Sequence, residues 1–251
     1  MSKVAIIMPS MDTENREYWQ AAVDSIADQT FPTKDILLIQ VVRFNTDLPF
    51  TRLTHRKIGQ VITISYSVKP ETPITDMAQM AVGFKRAVAD IGVDYIMMTP
   101  ANDLLGPTIV ADYVNALENN PKAMVAYCDH VMFSDAYPLR KTFKLHDAIV
   151  IEDMTKQNHV PDYSMFRADM YRDIPFDAQY LRVSYWVWWI KVLQKYGPDA
   201  FVHVPKPNFH YRWGHEGQTS QDSTYKDEGA AIMTQWLKDR KLIADTIMLH
   251  Y

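Results

Sequence analysis

Cysteine is almost absent from this sequence. Cys128 stands alone among 251 residues, which excludes an intrachain disulfide and a cysteine-rich zinc site. A single thiol fits a reducing compartment. Glycine is scarce, 8 residues in all. No G-x-G-x-x-G run and no Walker A run occurs, so a glycine cradle for a dinucleotide or for nucleoside triphosphates is disfavoured. There is no excess of positive charge either: 26 Lys and Arg stand against 30 Asp and Glu, a net charge of −4. That balance does not advertise a broad nucleic-acid or anionic-membrane surface. Long apolar runs are missing. The first, Val4-Ala5-Ile6-Ile7-Met8, stops at Pro9, too soon for a secretory h-region, and charges break every later run well short of the ~18 residues a membrane helix needs. The expectation is a soluble, cytoplasmic protein.

What is present is material for a core. Hydrophobic residues make up 47% of the chain and charged residues 22%, which excludes disordered and low-complexity classes. The length suits one large α/β domain. Residues 4–8, 36–42 and 95–98 are short continuous apolar runs, the pattern of strands buried on both faces. Residues 61–65 and 123–127 read as further strands. Helical spacing of apolar residues covers 17–28, 75–89 and 108–119. This alternation of strand and helix predicts an open, mostly parallel sheet. The second half is less regular. A loop is expected over 137–161, a helix over 185–195, an aromatic, His-rich stretch over 201–213 and a closing helix over 227–242. With no repeat and no Gly/Ser/Pro-rich linker, residues 1–251 read as one domain with two unequal halves, 1–130 and 131–251.

In open α/β sheets, ligands sit beyond the carboxyl ends of the strands. Three such ends are visible: Pro9-Ser10-Met11-Asp12, the segment from Gln40 to Arg43, and Pro100-Ala101-Asn102-Asp103. Loop backbone and side chains, rather than glycines, would hold a nucleotide there.

The order and spacing of several motifs resemble those of family-2 glycosyltransferases of the GT-A fold, over residues 3–221. Val4-Ala5-Ile6-Ile7-Met8-Pro9-Ser10, then Ala22-Val23-Asp24-Ser25-Ile26 and Gln29-Thr30-Phe31-Pro32, are similar to the family's opening strand, helix and turn. Asp94-Tyr95-Ile96-Met97-Met98 leads to Asn102-Asp103-Leu104-Leu105-Gly106-Pro107, where the family has its Asp-rich metal motif. Tyr127-Cys128-Asp129, Ser164-Met165-Phe166-Arg167, Pro175-Phe176-Asp177 and Tyr211-Arg212 with His215 follow in the family's order.

The resemblance implies a GT-A, Rossmann-like fold. It implies a donor half over 1–130, an acceptor half over 131–251, and transfer of a sugar from a nucleotide-sugar to an acceptor hydroxyl. The leaving diphosphate builds negative charge that a divalent cation, Mg²⁺ or Mn²⁺, neutralises. Pro9, Ser10, Asp12, Gln40, Asn102 and Asp103 are the implied donor contacts, and Asp103, Asn102 and His215 the implied metal ligands. The motifs also depart from the family. The Asp-x-Asp position reads Pro100-Ala101-Asn102, with Asp103 beside it. The carboxylate pair that opens the family's second-half helix falls on Ser184-Tyr185. The acidic position after the second strand falls near Gln40-Val41. Asp177, Asp129 and Tyr185 are the catalytic candidates, with Asp162 a further substitute candidate for the missing base.

Each of these residues also has a structural reading. Asp103 suits a turn or a cap for the helix near residue 108, and Asp177 an ordinary loop. Tyr185, Trp186, Trp188 and Trp189 suit a packed core or a stacking platform. Arg167 and Arg212 suit phosphates or internal ion pairs. The acceptor class stays open among a saccharide, a protein and a modified nucleobase, and the departures suit a divergent viral or phage enzyme. Two rival functions remain: a non-catalytic GT-A-like protein that binds nucleotide-sugars or glycans, and a nucleotidyltransferase. The latter normally has a Gly-rich basic loop after its first strand, where this chain has acidic, glycine-free Asp12-Thr13-Glu14.

Overall fold

The computed structural model describes residues 2–11, 15–44, 57–67, 76–88, 92–136, 138–214 and 223–243. Their centre is a nine-stranded sheet. The expected apolar runs form β1 (Val4–Met11), β2 (Ile36–Phe44) and β4 (Tyr95–Met98), and the alternating run forms β3 (Gln60–Ser67). β1 pairs in parallel with β2 on one side and β4 on the other, and β3 extends the sheet beyond β2. The chain therefore fills one side of β1 first and then crosses to the other. That reversal opens a crevice beyond the carboxyl ends of β1 and β4, the position where α/β sheets bind ligands.

The crossovers are helical for local reasons. α1 (Arg16–Ala27) starts where the Asn15 side chain accepts the amide hydrogens of Glu17 and Tyr18, a side-chain cap on donors that otherwise lack partners. α2 (Asp76–Arg86) returns the chain over β1 and β2. It approaches closely at Gly83, where a Cβ would fall 2.4 Å from the Ile7 side chain. α3 (Ile109–Asn119) covers the opposite face.

The second half adds strands to the β4 side. β6 (Val125–Phe133) and β9 (Phe201–Arg212) are long and parallel to each other, with an irregularity between Cys128 and His130. The three-residue β8 (Met165–Arg167) lies antiparallel between β4 and β6. Hence β6 and β9 run the same way as β1 to β4, and the sheet is mostly parallel, as expected. β5 (Leu104–Leu105) pairs with β9, and β7 (Arg140–Phe143) pairs with β6 as an exposed edge. Arg140 and Lys141 on that edge discourage strand-to-strand association.

The segment 137–161, expected to be a loop, contains β7 and the short helix α4 (Ile151–Met154). α5 (Ala168–Asp173) follows β8. The stretch 201–213, left without an element by sequence, is β9. Its two prolines, Pro205 and Pro207, hid the strand pattern. They fall in the span where β9 skips register partners with β6. α6 (Ser184–Tyr196) ends at Gly197, whose φ of 77° suits glycine. α7 (Ser223–Asp239) closes the described chain, four residues earlier at its start than expected.

Two apolar layers sandwich the sheet. One, under α1 and α3, includes Ile6, Met8, Leu38 and Met97. The other, under α2, α6 and α7, includes Ile7, Ile39, Ile96 and Met98. Its centre is aromatic. Phe84 stands edge-on to Phe166 and Phe176 at 5.2 and 5.4 Å and stacks on Trp188, which stacks in turn on Trp189 at 4.8 Å. Such pairs add about 0.5–1.5 kcal/mol each beyond their buried area. Trp186 and Trp188 donate their indole hydrogens to the carbonyls of Met154 and Ile174, which anchors α6 to α4 and to the segment after α5. Of the two sequence readings of the tryptophan helix, core packing is the one the fold realises. Among the described residues, no helix is long and apolar enough to cross a membrane.

Candidate functional site

Near the carboxyl end of β1 and midway along β2, polar residues stand in places the core would otherwise fill. Ser10 is 2% exposed and Gln40 fully buried. The Gln40 amide reaches the Ser10 hydroxyl at 3.5 Å, while its Oε1 and the neighbouring Thr63 hydroxyl have no hydrogen-bond partner. Gln40 and Thr63 are register partners on β2 and β3. Buried polar atoms without partners cost about 1–3 kcal/mol each, so their retention at this edge has the character of a recognition site. Pro9 is buried within β1 beside Val41.

The turn after β4 is fixed from β9. Asp103, 2% exposed, accepts the main-chain N–H of Arg212 at 2.7 Å. The Arg212 guanidinium donates through Nε to the Asn102 carbonyl at 2.7 Å and pairs with Asp135. It lies over the rings of Tyr18 and Phe133, with centroids at 4.1 and 4.7 Å. Arg212 is thus an internal strap tying the Asn102–Asp103 turn to β9, α1 and the β6–β7 hairpin. Burial pulls its pKa down, opposed by the nearby Tyr18 and Asp103. Arg167 is likewise internal: it donates to the carbonyls of Ala123 and Leu117 at 2.8 and 2.6 Å.

The catalytic candidates separate clearly. Tyr185 packs in the core: it is 4% exposed against Phe176 and Trp189, and burial pushes its phenol far above the ordinary range. Asp129 is buried, its Oδ1 bound by His203 Nε2 at 2.8 Å and by the Leu145 amide at 2.9 Å. His203 Nδ1 lies 2.6 Å from Asp147, so a carboxylate–imidazole–carboxylate staple holds the segment after β7 against β6 and β9. Nothing in the sequence pattern singled out His203 except its place between Val202 and Val204. Asp177 accepts the amide N–H of Gln179 at 3.1 Å and also its side chain, which makes it the cap of the 3₁₀ turn before α6. Asp12 and His215 lie outside the described residues.

The Tyr163 ring stacks on Phe209 at 3.8 Å, and its hydroxyl meets His130 Nδ1 at 3.0 Å. Burial chiefly, and then the charges of Cys128, Asp162, Asp129 and Asp103, raise this phenol far above its usual value.

For a divalent cation the donor set is oxygen, the type that Mg²⁺ and Mn²⁺ prefer, and such ions are commonly held by one or two carboxylates together with substrate phosphates. Asp103 supplies one carboxylate and Asn102 a neutral oxygen. Among the described residues no group of three His, Cys, Asp or Glu side chains is placed to hold a metal. A cleft of about 660 Å³ opens at the other end of β4, beside Asp94, Glu118 and Arg167. It faces the amino ends of the strands and shares no residue with this site.

The fold is shared with proteins of known structure. No protein-family model matches the sequence, and no curated protein matches it at a significant level. Solved structures do. S. aureus TarS 1–349 in complex with UDP-GlcNAc superposes with a TM-score of 0.65 at 11% identity, over 97% of this chain and 67% of that one. The mannosyltransferase PcManGT from Pyrobaculum calidifontis, in complex with GDP-Man and Mn²⁺, gives 0.62 at 12% identity, over 97% and 65%. A longer TarS structure gives 0.64 at 11% identity over 94% of this chain, which spans 40% of that chain's length.

Proposed function

We propose that this chain is a glycosyltransferase of the family-2, GT-A type, moving a sugar from a nucleotide-sugar donor to an acceptor hydroxyl. The observation that carries this reading is the reversal of strand order at β1, with the Gln40–Ser10 pair on its β2 side and the Asn102–Asp103 turn following β4 on the other. The donors held by two structural neighbours, UDP-GlcNAc and GDP-Man, support it.

In this reading Gln40, with its unpartnered acceptor oxygen, and Ser10 contact the nucleoside end of the donor. The Arg212 strap keeps the Asn102–Asp103 turn rigid beneath the diphosphate. Asp103 and Asn102, with His215 as a further ligand, hold Mg²⁺ or Mn²⁺, which supplies positive charge against the leaving diphosphate. The acceptor, a saccharide, a protein or a modified nucleobase, enters over the second half of the chain.

The test is a panel of nucleotide-sugars, with and without Mn²⁺, read by thermal shift and by donor hydrolysis. Stabilisation by one donor that depends on Mn²⁺, is lost in Asp103→Ala and comes with slow release of free sugar is the expected result. The Ser184-Tyr185 pair, where the family places acids, favours a second reading as a binding module. Stabilisation without turnover, indifferent to Mn²⁺ and to Asp103, would establish that one instead.

A further inference from the structure

Positive charge without counter-charge collects on the β6–β7 hairpin. Arg140, Lys141 and Lys144 are all exposed, and among the described residues no carboxylate pairs with any of them. The acids beside them are committed elsewhere, Asp135 to Arg212 and Asp147 to His203. Lysines on other surfaces are matched, as Lys122 is by Asp199 and Lys206 by Asp112. In a chain of net charge −4, such a local excess draws a negatively charged partner to one place. We propose that this hairpin docks a nucleic-acid strand, and that the acceptor hydroxyl is carried on a base of that strand. The acceptor role rests on the glycosyltransferase reading above and narrows its acceptor to one class.

The hairpin borders the candidate site. Arg140 is the register partner of Phe133 on β6, and Phe133 that of Arg212 on β9. Register partners share a sheet face, and two strand spacings put Arg140 about 10 Å from Arg212. Arg212 in turn holds the Asn102 carbonyl. His210 stands edge-on to Phe133 at 6.4 Å and is the register partner of Leu104, next to Asp103. The charge of Arg140 reaches His210 and adds to the lowering of its pKa by burial. A strand held along β7 therefore runs beside the turn that follows β4.

The spacing calls for a polymer. Arg140 and Lys144 are four residues apart, up to about 14 Å along an extended chain, so one phosphate cannot meet both. Thr142 between them is exposed, and among the described residues β7 pairs only with β6. Its outward main-chain N–H groups are further donors for phosphate oxygens. Protecting a sheet edge needs charges on the strand itself, which Arg140 and Lys141 supply; Lys144 lies past the end of β7.

Aromatic faces favour a nucleic acid over other polyanions. Lys141 lies over the Phe143 ring at 4.8 Å, and that ring stacks on His130 at 4.9 Å. Just beyond β9, Trp213 is 44% exposed and tied to the hairpin by its amide, which donates to the Phe133 carbonyl at 2.7 Å. Cations along a backbone path with aromatic rings beside it are the means by which single strands are held, and a base must leave its stack for chemistry on it. The transfer adds no reactant. The base's hydroxyl oxygen bonds to the anomeric carbon, the diphosphate leaves with the electron pair of the broken bond, and the hydroxyl proton is released to water.

The test begins with binding, in the absence of any donor. Full-length wild type and the triple variant Arg140→Gln, Lys141→Gln, Lys144→Gln are titrated into fluorescein-labelled single-stranded DNA and RNA of about 20 nucleotides, read by anisotropy between about 50 and 200 mM salt. Wild type should bind at least one strand with a slope of log K against log salt near about −2, from about −0.7 for each of three phosphate contacts. The triple variant should keep its thermal midpoint, bind about 10- to 100-fold more weakly and lose most of that slope. Inorganic polyphosphate should compete at least about 10-fold less well per phosphate, because it offers no base to stack. In the second arm, a strand whose pyrimidines carry hydroxymethyl groups, incubated with the donor found in the nucleotide-sugar panel and Mn²⁺, should gain the mass of one sugar. A wild type that binds neither strand, or a folded triple variant with wild-type affinity and slope, overturns the docking surface. Polyphosphate that competes equally well makes the hairpin an unselective anion surface and overturns it too. Strand binding by a protein that uses the donor but adds no sugar overturns the acceptor role. Strand binding by a protein that fails the donor panel overturns the glycosyltransferase reading and the acceptor role together, and supports the docking surface by itself.

Discussion

Replacing Arg212 by alanine separates a structural strap from a phosphate ligand. The side chain is 5% exposed at the residue level and makes three kinds of contact at once. Its loss removes the 2.7 Å donor of the part-buried Asn102 carbonyl, at up to about 1–3 kcal/mol. The cation over Tyr18 and Phe133 is worth about 0.5–1 kcal/mol per ring and up to about 2 when desolvated. The partner Asp135 is half exposed, so that pair contributes only about 0–1 kcal/mol. Together these give a destabilisation of about 2–6 kcal/mol, a large share of the about 5–15 kcal/mol that holds a typical domain. Urea unfolding followed by tryptophan fluorescence reads it directly, as a lower midpoint at unchanged slope. Arg212→Lys should fall in between, because a lysine keeps the charge but cannot place separate N–H groups on Asn102 and Asp135. Donor affinity should fall along with stability, since the Asn102–Asp103 turn loses its anchor. A variant within about 1 kcal/mol of wild type that loses only donor binding would refute the strap and make Arg212 a phosphate contact.

Gly106→Ala should destabilise by about 1–3 kcal/mol, the usual cost of overpacking, because the new Cβ would meet the Asn208 side-chain oxygen at 2.2 Å and its carbonyl at 2.7 Å; an unchanged unfolding midpoint would contradict the packing of β5. The Cys128 thiol is pushed up to about 12, chiefly by burial, so native protein at pH 8 should resist alkylation by iodoacetamide and react only on unfolding, as counted by mass spectrometry. Burial lowers the pKa of His130, His159 and His210 in the folded chain. Their contribution to stability is therefore intact above the unfolded value near 6.5 and is lost as pH falls below it. The thermal midpoint should drop between pH 7.5 and pH 5, and a rise would contradict the burial of these rings. Asp103→Asn keeps an acceptor for the Arg212 amide but removes the carboxylate, so it should fold normally and lose Mn²⁺-dependent donor stabilisation in the thermal-shift assay.

The donor half was readable from the chain alone because its signals are local. Continuous apolar runs such as residues 4–8 and 95–98 have the pattern of strands buried on both faces. Their alternation with helices leaves few arrangements other than a parallel sheet with a switch point, which already placed Ser10, Gln40, Asn102 and Asp103 at one edge. In the second half only the two long helices were readable, since its strands exist only through distant partners. β8 is three residues long and persists because β4 and β6 flank it, and β9 is a strand despite two prolines because β6 templates it. The same distinction governs the site. Sequence offered Asp103 as a metal ligand, and Asp129, Asp162 and Asp177 as substitutes for the missing base. Only the folded chain assigned them: His203 reaches across 74 residues to immobilise Asp129, Arg212 reaches across 109 to hold Asp103, and Asp177 is turned to its own loop. Which face a residue shows is set by periodicity and so is written in the sequence, whereas which charge remains available for chemistry is set by long-range pairing, which no local pattern encodes.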